Sequence, residues 1–447
     1  MPEDTPAAHA FVMAGGLGTR LRPLTSDQCK PALPFGADHR VIDFVLANLR
    51  NSGVGQVDLL VQYQPGSLMQ HVRRNWWCHG PAQQRFGIEL APPRPGSGPA
   101  GYRGTADAVH QNLFRLDAHD DEPVLVFGAD HVYRMDVRPM IALHRDSGAD
   151  VTVATLPVPL AAASSFGIVE VDTRGRAIAF QEKPRQPRPM QGRHGQALAS
   201  MGNYCFRAGL LREALAHCIA EGQFDFGQHV LPLLLSTHRV MAYDFHSHAV
   251  PGLADDEEAG YWRDVGTLDA YFDAHLDTLG PSPRFRLDNP LWPLLPAQAR
   301  PAPECTIGTR LSHARLGSGA VVERATLHQV VVGRAARVGH GAALERTLLL
   351  DGAVVGEGVR LRNVIVDRDN VIPPGECIGF DAERDAARFP RSGAGIVVVP
   401  RGHFAAAPAD ARQQLASPVR GAIAAAAGSA LGHAAVARPG GFVPAHG

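Results

Sequence analysis

Aliphatic residues in the last third of the chain recur at a spacing of six: Val332, Val338, Leu344 and Leu350. Glycines follow in phase at Gly333 and Gly339, and the pairs Val355–Leu361 and Ile372–Ile378 keep the step. This is a hexapeptide repeat, the signature of a parallel β-helix. Each six-residue rung turns one aliphatic inward, and glycine fits the tight corner. A β-sandwich with coincidental spacing is the competing architecture, and a strict step over four positions argues against it.

Upstream the pattern differs. Short apolar runs (AHAFVMA at 8–14, VDLLVQY at 57–63, VLVF at 124–127, VTVATL at 151–156) alternate with helix-like stretches such as Val41–Asn51 and Asp107–Leu116. Strands alternating with helices predict an α/β domain built on a mainly parallel sheet. We expect a Rossmann-like catalytic domain over 9–279, a proline-rich linker over 280–303, a left-handed parallel β-helix over 304–404 and an Ala/Pro/Gly-rich, disordered tail over 405–447. A chain of 447 residues suits two domains. Its net charge of −1 excludes a global basic field for nucleic acid, so phosphate binding must come from a few placed cations. The six cysteines (29, 78, 205, 218, 305 and 377) form no CxxC pair, which predicts reduced thiols in a cytoplasm. The N-terminus has no basic region of a signal peptide, and no run of about 18 apolar residues predicts a membrane span.

A glycine turn, Gly15-Gly16-Leu17-Gly18, follows the first strand at once, and Arg20 and Lys30 lie shortly beyond it. Such a turn lets backbone N–H groups approach phosphates, and the two cations suit a triphosphate. Leu21 stands where a dinucleotide fingerprint needs glycine, and no GK[ST] follows for a Walker A loop.

The loop resembles that of the sugar-phosphate nucleotidyltransferases. GYRGTADAV (101–109), GADHVYRMD (128–136), FGIVE (166–170), QEKP (181–184), ASMGNY (199–204), FDFG (224–227) and YWRDVGT (261–267) narrow the resemblance to glucose-1-phosphate adenylyltransferases. It covers about 9–400 and implies transfer of the adenylyl group of ATP to glucose 1-phosphate, with release of pyrophosphate, for glycogen synthesis. It further implies that Gly15, Gly16, Gly18, Arg20 and Lys30 hold the triphosphate, and that Asp130 and Asp264 carry Mg²⁺. Lys183 and Glu182 would take the phosphate and hydroxyls of the sugar phosphate, beside Tyr102, Gly104, Gly167 and Ser200. Gln62 would touch adenine. Asp130 ends a buried apolar strand, where parallel sheets place ligand sites, and a carboxylate suits Mg²⁺. Glu182 and Lys183 are adjacent, so on a strand they would face opposite ways.

A homotetramer is the assembly that the resemblance implies. Departures bear on regulation, which is common in the family through basic effector pockets. Pro23–Cys29 carries no cation and does carry Asp27, and Gly101 and Ala118 stand where relatives often have tryptophan and a basic residue. We expect Asp27 to repel a sugar bisphosphate, and Arg22, Arg40, Arg388 and Arg391 to offer at most a smaller anion site. His313, His328 and His340 have no partner pattern of an acyltransferase base. The alternatives are a sister enzyme using another nucleoside triphosphate, and a non-catalytic regulatory subunit; retention of Asp130 and Lys183 argues against the latter.

Overall fold

The computed structural model describes residues 8–77, 86–94, 101–247, 249–295 and 300–404. Cys78, the first seven residues, part of the linker and the tail from 405 lie outside them. The first domain is built on a nine-stranded mixed sheet. Its core is parallel: β1 (His9–Ala14) lies between β2 (Gln56–Val61) and β4 (Pro123–Gly128), and β3 (Gly87–Ala91) flanks β2. Residues 10–12 of β1 and 124–127 of β4 are almost solvent-free, as continuous apolar runs in a two-sided sheet must be. Register aligns Ala14 with Val61 and Met13 with Gly128. The carboxyl ends of three strands therefore open at one edge, followed at once by the glycine turn, Gln62 and Asp130.

A short ribbon completes this edge. β5 (His131–Tyr133) pairs antiparallel with β11 (Trp262–Asp264), and Asp264 sits opposite His131. The other half of the sheet is formed by β6 (Val151–Pro159), β7 (Gly167–Val171), β8 (Ala177–Glu182), β9 (Gln196–Arg207) and β10 (Val240–Asp244). β9 runs antiparallel to β4, with Tyr204 opposite Val126, so its earlier residues project past the carboxyl end of β4. A register shift between Ser200 and Tyr204, with Gly202 at φ 70°, bends β9 there.

The proline-rich segment forms no helix or strand among the described residues, but it is not a free tether. Phe285, Leu287 and Leu294 are buried in the first domain's core, and Trp292 is buried as well. Asn48 Oδ1 accepts from both Met135 N and Trp292 Nε1, tying this segment to the stretch that follows Asp130.

Beyond it the chain winds as a parallel β-helix. The strands Arg310–Leu316, Thr326–Val332, Ala343–Leu349 and Arg360–Val366 stack in parallel. Register places Val332 beside Leu349 and Leu349 beside Val366, a coil of 17 residues rather than three times six. The interior step is therefore six, six, five: Val332, Val338, Leu344, Leu349, Val355, Leu361, Val366, Ile372 and Ile378 all lie in the β-helix core. This corrects the uniform period at one position. Leu350 does not point inward; it packs in the first domain's core. Gly333 fits its corner because a Cβ there would lie 2.7 Å from the Asp351 nitrogen of the next coil.

One outer face of the β-helix is also aliphatic. Val331, Leu348 and Ile365 stack in register, Val398 continues the ladder, and all four are buried against the first domain. Polar ties frame this contact: Arg40 Nη2 to Asp351 at 2.8 Å and Ser318 N to Asp38 at 2.9 Å. Truncating the chain after residue 303 should strip that cover and give insoluble or aggregated protein. A soluble, active monomer in size-exclusion chromatography would contradict this.

Candidate active site

The open edge of the sheet forms one cleft of about 710 Å³, within the range typical of small-molecule sites. All fourteen residues singled out from the sequence line it: Gly15, Gly16, Gly18, Arg20, Lys30, Gln62, Tyr102, Gly104, Asp130, Gly167, Glu182, Lys183, Ser200 and Asp264. His131, Asp225, Phe166, Tyr204 and Trp262 line it too. These five lie within the motifs that carry the resemblance, where residue type alone does not mark them out.

At the end of the cleft nearest the glycine turn, Gly18 takes φ 59°, the left-handed conformation that glycine adopts without strain. Its carbonyl accepts from Thr25 Oγ1 at 2.8 Å, which folds the following segment back beneath the loop. That segment delivers Lys30, 5% exposed, whose Nζ donates to Asp130 Oδ2 at 3.0 Å and Asp264 Oδ1 at 2.8 Å. The lysine was expected to face an incoming anion; here it bridges two carboxylates. Burial pushes the ammonium pKa down, but the two carboxylates outweigh that and raise it. Burial likewise pushes the Asp130 carboxyl up, while Lys30 and His131 hold it well below the usual carboxylate range. Arg20 is exposed and approaches Asp264 across Gly266, where a Cβ would lie 2.9 Å from Arg20 Nη2 and 3.0 Å from both Asp264 oxygens.

Asp130, His131 and Asp264 can place one ligand atom each within 4.8 Å of one another, the only such group of three among the described residues. The donor set fits a divalent cation, with the Lys30 ammonium alongside it on Asp130 Oδ2 and Asp264 Oδ1.

At the opposite end the pairing of β7 and β8 sets Glu182 opposite Gly167. A Cβ on Gly167 would lie 2.4 Å from Phe180, so glycine is required there by the protein's own packing. Gly104 is similar, with Phe224 O 2.3 Å from a Cβ. Glu182 and Lys183 do not face opposite ways. The strand ends at Glu182, Lys183 turns to φ 45°, and its Nζ meets Glu182 Oε1 at 2.8 Å on the cleft wall. Tyr102 contributes only its ring, because its hydroxyl donates to Ala91 O at 2.8 Å and accepts from Asn112. Gln62 donates to Tyr102 O at 3.2 Å, and a Cβ on Gly15 would lie 3.4 Å from the Gln62 Cβ, so Gln62 sits between Tyr102 and the glycine turn. Asp225 accepts from Thr105 Oγ1 at 3.1 Å and from Gln228 N at 3.0 Å.

Asp27 is not a bare repulsive charge. It accepts from Arg368 Nη2 at 2.6 Å and pairs with Arg401, both on the β-helix, and these arginines lower its pKa against the upward push of burial. Of the four arginines expected to offer a smaller anion site, Arg40 pairs with Asp351 and Arg388 with Glu376.

A mixed α/β sheet with a glycine turn, cations and paired carboxylates at its open edge, followed by a β-helix, defines a sugar-phosphate nucleotidyltransferase. Residues 9–280 match the nucleotidyl transferase family and 302–399 match the GlmU-like C-terminal hexapeptide family. Glucose-1-phosphate adenylyltransferases of Thermodesulfovibrio yellowstonii (42% identical over 89% of this chain and 96% of the relative) and Thermus thermophilus (43% over 88% and 98%) are similar throughout. The Anaeromyxobacter homologue of the same name is 40% identical over 88% of this chain and 97% of its own. The chain belongs to the glucose-1-phosphate adenylyltransferase family. No helix among the described residues is long and apolar enough to cross a membrane.

The Lys30 bridge has a pH consequence. Asp130, with a depressed pKa, contributes stability above its ordinary 3.8 that is lost as pH falls through the folded value. Lys30, with a raised pKa, contributes below its ordinary 10.5 and loses it as pH rises through the folded value. Both charges therefore persist across neutral pH. Lys30→Met should raise the Asp130 midpoint, read from carboxylate carbon shifts by NMR; an unmoved midpoint would show that the ammonium is not the cause.

Proposed function

We propose that this chain transfers the adenylyl group of ATP to glucose 1-phosphate, giving ADP-glucose and pyrophosphate for α-glucan synthesis in the cytoplasm. The observation that carries the reading is the charge layout of the cleft. Lys30, Arg20 and two carboxylates stand below the glycine turn, and Glu182 and Lys183 stand on the far wall.

The nucleophile is a phosphate oxygen whose second pKa is about 6, so near neutral pH it is already mostly dianionic. No general base is needed. The obstacle is repulsion between two polyanions, and catalysis comes from positioning and charge neutralisation. Asp130 and Asp264, with His131 beside them, would hold Mg²⁺, which supplies charge neutralisation for the triphosphate. The glycine turn and Arg20 bind the triphosphate, and Lys30 fixes both carboxylates in place. Lys183 binds the sugar phosphate, and Glu182 takes sugar hydroxyls beside Ser200. The sugar-phosphate oxygen forms a bond to the α-phosphorus in line as the bond to pyrophosphate breaks.

The experiment is a pyrophosphate-release assay with ATP, UTP, GTP and dTTP, each with glucose 1-phosphate. Preference for another nucleotide, or no turnover with any, would overturn the reading. Lys183→Gln should raise KM for glucose 1-phosphate by tenfold or more and leave KM for ATP within about twofold. Equal effects on both would move Lys183 to the triphosphate.

Regulation by a sugar bisphosphate should be weak for a reason different from bare repulsion. Arg368 and Arg401 are already engaged by Asp27, so an effector phosphate must displace a tethered carboxylate that is present at high local concentration. Millimolar fructose 1,6-bisphosphate should change kcat/KM by less than tenfold, and a larger activation would refute this. We also propose a homotetramer, tested by light scattering.

A further inference from the structure

We propose that His131 is a third, nitrogen ligand of the metal site, which makes the cleft prefer Mn²⁺ or Co²⁺ over Mg²⁺ when no nucleotide is bound. The inference rests on the reading of the cleft as a metal-dependent nucleotidyltransferase site and goes beyond its two carboxylates.

Three observations carry it. First, the ribbon pairing sets His131 directly opposite Asp264, so backbone register brings the ring and both carboxylates together. Second, His131 Nε2 lies 3.5 Å from Asp130 Oδ1. That is the oxygen Lys30 does not use, since the ammonium takes Asp130 Oδ2 and Asp264 Oδ1. A cation arriving beside the lysine would meet the imidazole and the remaining carboxylate oxygens. Third, the ring is fixed yet not consumed by the fold. It lies over Trp262 with centroids 4.8 Å apart, its side chain is only 14% exposed, and Nδ1 has no hydrogen-bond partner among the described residues. The nitrogen that faces the carboxylates is Nε2, and the ring carrying it is held by its contact with Trp262 rather than by a hydrogen bond at Nδ1.

The choice of metal follows from donor chemistry. Mg²⁺ favours oxygen and keeps its water, so it gains little from an imidazole, whereas Mn²⁺ and Co²⁺ accept nitrogen readily. Bound triphosphate would add oxygens and dilute the preference, which is why the test omits nucleotide.

The experiment uses the full chain. Mn²⁺ binding is followed by electron paramagnetic resonance of free Mn²⁺, Mg²⁺ by competition against it, and Co²⁺ by its visible absorption. His131→Phe keeps a ring on Trp262 and removes both nitrogens; unchanged circular dichroism and thermal midpoint check its fold. The expected result is at least tenfold weaker Mn²⁺ binding, a Co²⁺ spectrum shifted towards all-oxygen coordination, and Mg²⁺ affinity changed by less than twofold. His131→Gln, which restores a neutral oxygen donor, should recover part of the Mn²⁺ loss but not the cobalt spectrum. Unchanged Mn²⁺ affinity and cobalt spectrum in His131→Phe overturn the proposal. Asp130→Asn separates the two readings. If it abolishes binding while His131→Phe does not, the metal site stands and the third ligand falls. If it too leaves binding unchanged, the metal site itself is wrong.

Discussion

A lysine ammonium held almost out of water between two carboxylates organises this protein. Burying a charge is expensive unless it is paired, and here one cation meets two anions from distant parts of the chain. The arrangement is possible only if the segment after the glycine turn, the end of β4 and the β5–β11 ribbon all reach one point. Each of these is secured separately: Thr25 folds the first back, parallel register sets the second, and the antiparallel pair sets the third. Loss of the lysine would leave two carboxylates without their cation, and loss of either carboxylate would leave the buried ammonium a single partner, which is why the cleft and the core cannot be treated as independent.

The second constraint is the contact between domains. The β-helix buries aliphatic side chains on two sides: Val332, Leu349 and Val366 inward, and their chain neighbours Val331, Leu348 and Ile365 against the first domain. Alternate side chains of a strand face opposite ways, so one strand can serve both cores. The same interface carries Arg368 and Arg401 to Asp27, three residues before Lys30. The β-helix therefore braces the segment that delivers the buried lysine, and a change at its last coils is three residues from the charge centre of the cleft.

Glycines in the cleft act for different reasons. Gly18 is needed for its left-handed backbone, whereas Gly104 and Gly167 are needed because protein atoms occupy the space of a side chain. Only the first is a matter of backbone freedom; the other two are tight packing that holds the cleft walls in place.

The chain's sequence alone determined the strand that begins the sheet, the glycine turn, the hexapeptide rungs and the order of the motifs. These depend on residues near one another in the chain, through period, turn chemistry and the charge types a phosphate site requires. Tertiary structure decided what depends on partners far apart. Lys30 finds Asp130 and Asp264 across 100 and 234 residues, and Asp27 finds Arg368 across 341. The left-handed turn at Lys183 was hidden because a strand's end is set by what it pairs with, here β7, and not by the strand's own residues. The five-residue step at Leu349 was hidden for the same reason: Leu349 and Leu350 are both leucine, and only stacking on the neighbouring coils selects which one faces in.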